Sequence, residues 1–172
     1  MRFWPSAAAV LLLPLAACGY HVSGNGDKIP KTVQTIAIPA FKNLTVRYRL
    51  TDYLPQAISR EFIARTRYAV VPDPDKADAI LKGAIVNYVS FPVINDQATG
   101  LATVVQMNVT LQMSLTDRRT HEIIWSNPSF EYRQRYEISL DQTAYFEESN
   151  EGLHRLSNDV ARDVVSAILE NF

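Results

Sequence analysis

The chain has 172 residues, with 17 Lys and Arg against 18 Asp and Glu for a formal net charge of -1, and 47% of it is apolar. A balance so near neutrality leaves no whole-protein field to draw in nucleic acid, so any anionic ligand must be met by local clusters. A single cysteine excludes an internal disulfide, and the size suits one domain able to bury its own core.

In chain order, Met1-Arg2 gives a positive start and residues 4–15 an apolar run too short to span a hydrocarbon layer of about 30 Å. Leu15-Ala16-Ala17-Cys18 then reads as the end of a bacterial lipoprotein export signal, with Cys18 becoming the lipid-bearing first residue of the mature chain. The competing reading is an ordinary signal peptide followed by an incidental cysteine, against which a free thiol in an oxidising compartment is a liability. No later run reaches the about 18 consecutive apolar residues of a spanning helix, so attachment is expected through acyl chains. Gly19, in place of the Asp that holds many such proteins at the inner membrane, favours the outer membrane. The expected division is a signal peptide over 1–17, a lipidated flexible leader over 18–31 and a single domain over 32–172.

Residues 33–41 are β-branched and apolar and predict a first strand that stops at Pro39. Asn43-Leu44-Thr45 turns the chain. Over 48–65 the residues Leu50, Tyr53, Leu54, Ala57, Ile58 and Phe62 recur at helical spacing. Pro55 donates no backbone hydrogen bond, so the helix either starts near Thr51 or Asp52 or kinks at the proline. Residues 68–71 predict a short strand ended by Pro72-Asp73-Pro74-Asp75, and 79–91 a longer one. Over 101–116 the alternation is nearly complete, with Val105, Met107, Val109, Leu111, Met113 and Leu115 on one side and Gln106, Asn108, Thr110, Gln112, Ser114 and Thr116 on the other.

Asp117-Arg118-Arg119-Thr120 predicts a tight polar connection, followed by strand over 122–125 and 130–138 with an interruption around Asn127-Pro128. Leu153, Leu156, Val160, Val164, Ala167 and Ile168 mark a closing helix entered through Ser149 or Asn150. The fold class is therefore α/β, of α+β type, in the order βαβββ(β)α. It is a two-layer sandwich in which a mixed, mainly antiparallel sheet of about four to five strands is covered on one face by two helices. Sixteen strand residues reach about 50 Å, so the meander is expected to project beyond its helical cover.

Catalytic signatures are absent: there is no Gly-x-Ser-x-Gly, His-Glu-x-x-His or glycine-rich phosphate loop, and His21, His121 and His154 lie far apart. Asp73, Asp75 and Asp78 read as solvated turn acids rather than a calcium loop. No enzymatic activity is expected, and no metal or cofactor beyond the covalent lipid on Cys18. Arg47, Arg49, Arg60, Arg65 and Arg67 read as a solvated helix face. Arg133 and Arg135 alternate with Phe130, Tyr132 and Tyr136, a pattern that suits an anionic amphiphile and equally a charge-guarded strand edge.

Cys18-Gly19-Tyr20-His21, residues 36–45 (Ile-Ala-Ile-Pro-Ala-Phe-Lys-Asn-Leu-Thr) and 77–83 (Ala-Asp-Ala-Ile-Leu-Lys-Gly) resemble the LPS-assembly lipoprotein family LptE. The order of elements resembles it too, with Thr116-Asp117 at the meander turn and Ile124-Trp125 after it. The resemblance implies a non-enzymatic outer-membrane lipoprotein, seated one-to-one as a plug in the β-barrel LptD, that helps the barrel assemble and lipopolysaccharide reach the cell surface. A sheet face of Gln, Asn, Thr and Ser is compatible with a hydrated barrel interior, and with plain solvent as well.

The family's lipopolysaccharide contacts come from basic residues in loops at one end of the sheet, yet here 93–100 carries Asp96 and no Lys or Arg, and 141–151 is acidic. The candidate ligand residues are therefore Arg118, Arg119, Arg133 and Arg135. Residues 36–83 also resemble lipoproteins of the curli-secretion and penicillin-binding-protein-activator types, which form channels or regulate enzymes. The Cys-Gly-Tyr start, the short leader and the long terminal meander favour LptE.

Overall fold

The computed structural model describes residues 29–137 and 142–170, the side chains of 142–149 excepted, so Cys18 and the leader before Ile29 lie outside the described residues. Ile29 and Val33 are buried in the core, which draws residues 29–31 into the fold three positions before the expected domain start.

The strand expected over 33–41 is two short ones, β1 (Thr35–Ala37) and β2 (Lys42–Asn43), both parallel to β4 (Ala79–Asn95). Pro39 explains the division, since it cannot donate to the ladder. Between Ala37, opposite Ile80, and Lys42, opposite Ala84, the edge uses one residue more than β4. That excess turns Phe41 inward to 2% exposure, with its ring beneath Gly83.

Helix α1 (Leu50–Arg65) crosses over to β3 (Ala69–Val71), which pairs parallel with β1. It starts one residue before the expected Thr51 and runs on through Pro55. Its first turn is tightened by i to i-3 bonds, Leu50 N to the Arg47 carbonyl and Thr51 N to the Tyr48 carbonyl, so the helix is already formed where the proline enters. Its buried stripe is Leu50, Leu54, Ala57, Ile58 and Phe62.

The meander is β4, β5 (Ala102–Asp117) and β6 (Ile123–Glu137), antiparallel throughout. The whole forms a six-stranded mixed sheet in the order β3-β1-β4-β5-β6, with β2 beside β4. β6 is not interrupted at Asn127-Pro128: a bulge between Asn127, opposite Met113, and Phe130, opposite Leu111, absorbs the proline on an edge strand where its missing N–H is tolerated. Helix α2 (Gln142–Glu170) begins two turns before Ser149.

Both helices lie on one face, and the core stripes of β5 and of α2, with Leu156, Val160, Val164 and Ile168, close the sandwich between them. The longer α2 changes how the meander projects. Gly152 stands against Met107, and β5 stays buried on its helix face as far as Val105. β4 does not, since every residue from Val89 to Asn95 is exposed. The projection is one-sided.

Candidate functional site

The sheet face away from the helices is assembled by register. Gln106 pairs with Phe91 on one side and Arg135 on the other; Asn108 sits likewise between Val89 and Arg133, and Thr110 between Asn87 and Glu131. Three columns therefore run side by side along the outer half of the sheet: Phe91 and Val89 above Asn87 on β4, amide and hydroxyl on β5, charged on β6. Arg135 Nε donates to Gln106 Oε1 at 3.3 Å, and Gln106 Nε2 donates to Asn108 Oδ1 at 3.1 Å, which ties two columns together. Arg133 pairs with Glu131 at 2.7 Å while staying 66% exposed, a pair that solvent screens heavily. Gln106, Arg133, Gln134 and Arg135 line a hollow of about 270 Å³.

The four candidate arginines do not form one site. Arg118 follows Asp117 at the end of β5, whereas Arg133 lies opposite Asn108, nine residues back along the same strand and thus about 30 Å away. Arg118 is also committed to the fold: its Nε donates to the Ala77 carbonyl at 2.7 Å and its N–H to the Asp78 carbonyl at 2.8 Å. Arg119 is exposed at the tip of the same turn. Arg133 and Arg135 remain as a neighbouring exposed pair on the uncovered face.

The turn holding Arg118 is a latch built on carboxylates. Asp78 Oδ2 accepts from Gln34 N, Thr35 N and Thr35 Oγ1. Those bonds, led by that from the Gln34 amide, hold its carboxyl below the usual range. Asp117 Oδ1 accepts from Arg119 N and Thr120 N across the tight connection. Asp73 caps the 3-10 turn Pro74–Lys76 through Asp75 N, so Asp73 and Asp117 serve turns while Asp78 ties the start of β1 to that of β4, and among the described residues no group of side chains could hold a metal ion.

Two of the five arginines on or near the first helix also bridge it to α2 from its exposed face: Arg60 donates to Asn158 Oδ1, and Arg65 to Ser166 Oγ and the Arg162 carbonyl. On β6, Tyr136 Oη donates to Asp159 Oδ2 at 3.0 Å, and burial raises its pKa; burial likewise pushes Tyr132 up to about 12. His154 stacks on Tyr53 with ring centroids 3.8 Å apart.

Sequence reasoning missed a second hollow on the uncovered face, about 500 Å³, floored by Ala84, Gln112, Ser114 and Ser126 and walled by Pro39 and Pro128. Lys42 and Lys82 stand at it and make no ion pair among the described residues. The available signal was the register that puts Ala84, Ser114 and Ser126 together as small residues between two prolines. Among the described residues no helix is long and apolar enough to cross a membrane.

Residues 33–168 match the family described as LptE, lipopolysaccharide-assembly. No curated protein sequence matches the chain. Among solved structures, the chain resembles a PelC dodecamer subunit from Paraburkholderia phytofirmans at TM-score 0.54 and 15% identity, over 80% of this chain and 89% of that one. It also resembles a protein from Xanthomonas campestris at TM-score 0.51 and 14% identity, over 81% and 88% of the two chains. A putative lipoprotein from Caulobacter crescentus gives TM-score 0.50 and 14% identity, over 80% and 87%. At these identities the likeness is one of fold.

Proposed function

The chain belongs to the lipopolysaccharide-assembly family LptE, and on that premise we propose that it is an outer-membrane lipoprotein, anchored through Cys18, that plugs an LptD-type β-barrel one-to-one in lipopolysaccharide transport. The observation that carries this reading is the uncovered sheet face, whose Gln106, Asn108, Thr110, Gln112 and Ser114 can lie against the hydrated wall of a barrel without burying unsatisfied apolar area. Family membership weighs against the curli-secretion and penicillin-binding-protein-activator alternatives. The role is non-catalytic, with no cofactor beyond the lipid.

Lipopolysaccharide itself is a phosphate-bearing amphiphile. Arg133 and Arg135 offer guanidinium donors for phosphate beside the hollow that Gln106 and Gln134 help to line. Arg118 and Arg119 are secondary, because the first is held by backbone carbonyls. The test has two arms. The lipidated chain, extracted in mild detergent without crosslinking, is expected to bring down a large barrel in equal amount. Recovery of a homo-oligomeric ring or of a peptidoglycan synthase instead overturns the plug. Purified protein carrying Arg133→Ala and Arg135→Ala is expected to bind lipopolysaccharide about tenfold or more weakly, given that hydrogen bonds to charged groups contribute about 1.5–3 kcal/mol each. Arg118→Ala with Arg119→Ala should leave affinity nearly unchanged, and the reverse ranking overturns the assignment.

A further inference from the structure

Seven of the nine exposed large apolar residues among those described gather on one flank: Leu44, Val46 and Tyr48 in the loop between β2 and α1, and Val89, Phe91, Val93 and Ile94 on the outer half of β4. Val46 is 90% exposed, Leu44 74% and Tyr48 73%. Side chains this exposed usually belong to loose loops, but this loop is tightly bonded. Asn43 Oδ1 accepts from Thr45 N and Thr45 Oγ1, both at 2.8 Å, Asn43 Nδ2 donates to the Arg47 carbonyl, and Leu44 N donates to the Ile85 carbonyl at 2.9 Å. The loop continues along β4, bringing the Arg47 guanidinium over the Tyr88 ring. It is ordered without being buried, which leaves its apolar side chains preorganised for something outside the fold.

Beside it the sheet is unfinished. Among the described residues, β1 and β2 cover the outer side of β4 no further than Ile85, and past that point β4 pairs with β5 alone. Half of its amides and carbonyls over 86–91 face outward with no described strand beside them, until Pro92 withholds a donor. Natural edges of this length are normally blunted by charge, yet residues 86–95 contain no charged side chain.

We infer that the outer edge of β4 and the loop at Leu44, Val46 and Tyr48 form one docking surface, on which an extended segment of a protein partner with alternating apolar side chains adds as a further strand. A hydrocarbon phase is the wrong occupant, because it cannot satisfy the edge amides. A second copy on a two-fold axis is also wrong: it would bring together Arg47 and Arg49 from both chains, with no Asp or Glu in 44–49 or 86–95 to offset them. The added segment should instead carry acidic or neutral polar residues. Naming the barrel as its source rests on the proposed function; because the wall strands of a closed barrel are already paired on both sides, the segment must be a loop or terminal stretch of the barrel chain that reaches into the lumen.

The test uses the lipidated full chain from cells. A photo-crosslinking residue at Val46 or Phe91 should capture the barrel, and the same residue at Ile63, whose exposure on α1 lies between the two, should not. Val89→Lys with Phe91→Lys should cut barrel recovery by roughly tenfold or more, as loss of two apolar anchors does at protein interfaces, with the thermal midpoint unchanged. Amide exchange over 86–91 should slow in the complex, which separates strand addition from mere proximity. Capture of a second copy or of lipid at Val46 and Phe91, undiminished recovery in the double lysine variant, or unchanged amide exchange each overturns the surface and leaves the barrel reading intact. Wild-type protein that brings down no barrel overturns both.

Discussion

At Gly83 a single methyl group decides whether Phe41 can keep its place. An added Cβ would stand 2.5 Å from the Phe41 ring, which is itself 2% exposed and walled in by the core. Overpacking of this kind forces either the ring or β4 to move, so Gly83→Ala should destabilise the domain by about 1–3 kcal/mol. Urea unfolding should show a lower midpoint at unchanged slope, and adding Phe41→Leu should restore part of the loss. Gly83→Ala as stable as the wild type would mean that the ring is free to shift. The same scale shows why composition under-reports duty. Arg118 and Arg133 are the same residue type in similar polar surroundings along the sequence, yet one is bound by the Ala77 carbonyl and the other is left on an open face. Nothing in the local sequence separates them, because the partner of Arg118 is 41 residues away.

Turns set the behaviour of the elements they join. Asp78 holds the starts of β1 and β4, Asp96 closes the β4–β5 hairpin through Thr99 N, and Asp117 closes the β5–β6 connection through Thr120 N. All three carboxyls are held below their ordinary pKa, chiefly by backbone hydrogen bonds from Gln34, Thr99 and Thr120 respectively. The folded state thus binds fewer protons than the unfolded chain. The stability these groups contribute is complete above about pH 5, a unit over the unfolded carboxyl value, and is lost as the pH falls through their folded values. The urea midpoint should therefore drop between about pH 5 and about pH 3, and Asp78→Asn should start lower at pH 5 and fall less steeply. Parallel curves for the two proteins would remove Asp78 from the account.

Legibility followed the range of the interaction that fixes each element. The alternation of β5 and the stripes of both helices are local, and they gave the sandwich, its sheet and its bare face. Two boundaries were set by distant partners. The β1–β2 break depends on the register against β4, and the β6 bulge on a place at the sheet edge. The trough between Pro39 and Pro128 was hidden for the same reason, because its small residues come from three strands.

On the proposed function, anchor and recognition surface of the whole molecule occupy different parts of the chain. Cys18 precedes Ile29, the first described residue and a buried one, by eleven positions, and the faces argued to meet barrel and lipopolysaccharide all lie on the sheet or on the loop beside it. Acyl chains should then concentrate the domain at the membrane without altering how it folds or what it contacts. Cys18→Ser is expected to move the protein from the membrane fraction to the soluble periplasm while leaving its thermal midpoint unchanged. Barrel recovery from cells should fall, because the effective concentration conferred by the tether is gone. Mixed with purified barrel at concentrations well above the dissociation constant, the same variant should bind as the wild type does, since mass action replaces the tether. If Cys18→Ser fails to bind even there, the lipid or the leader next to it is itself part of the contact, and the separation between anchor and recognition surface is wrong.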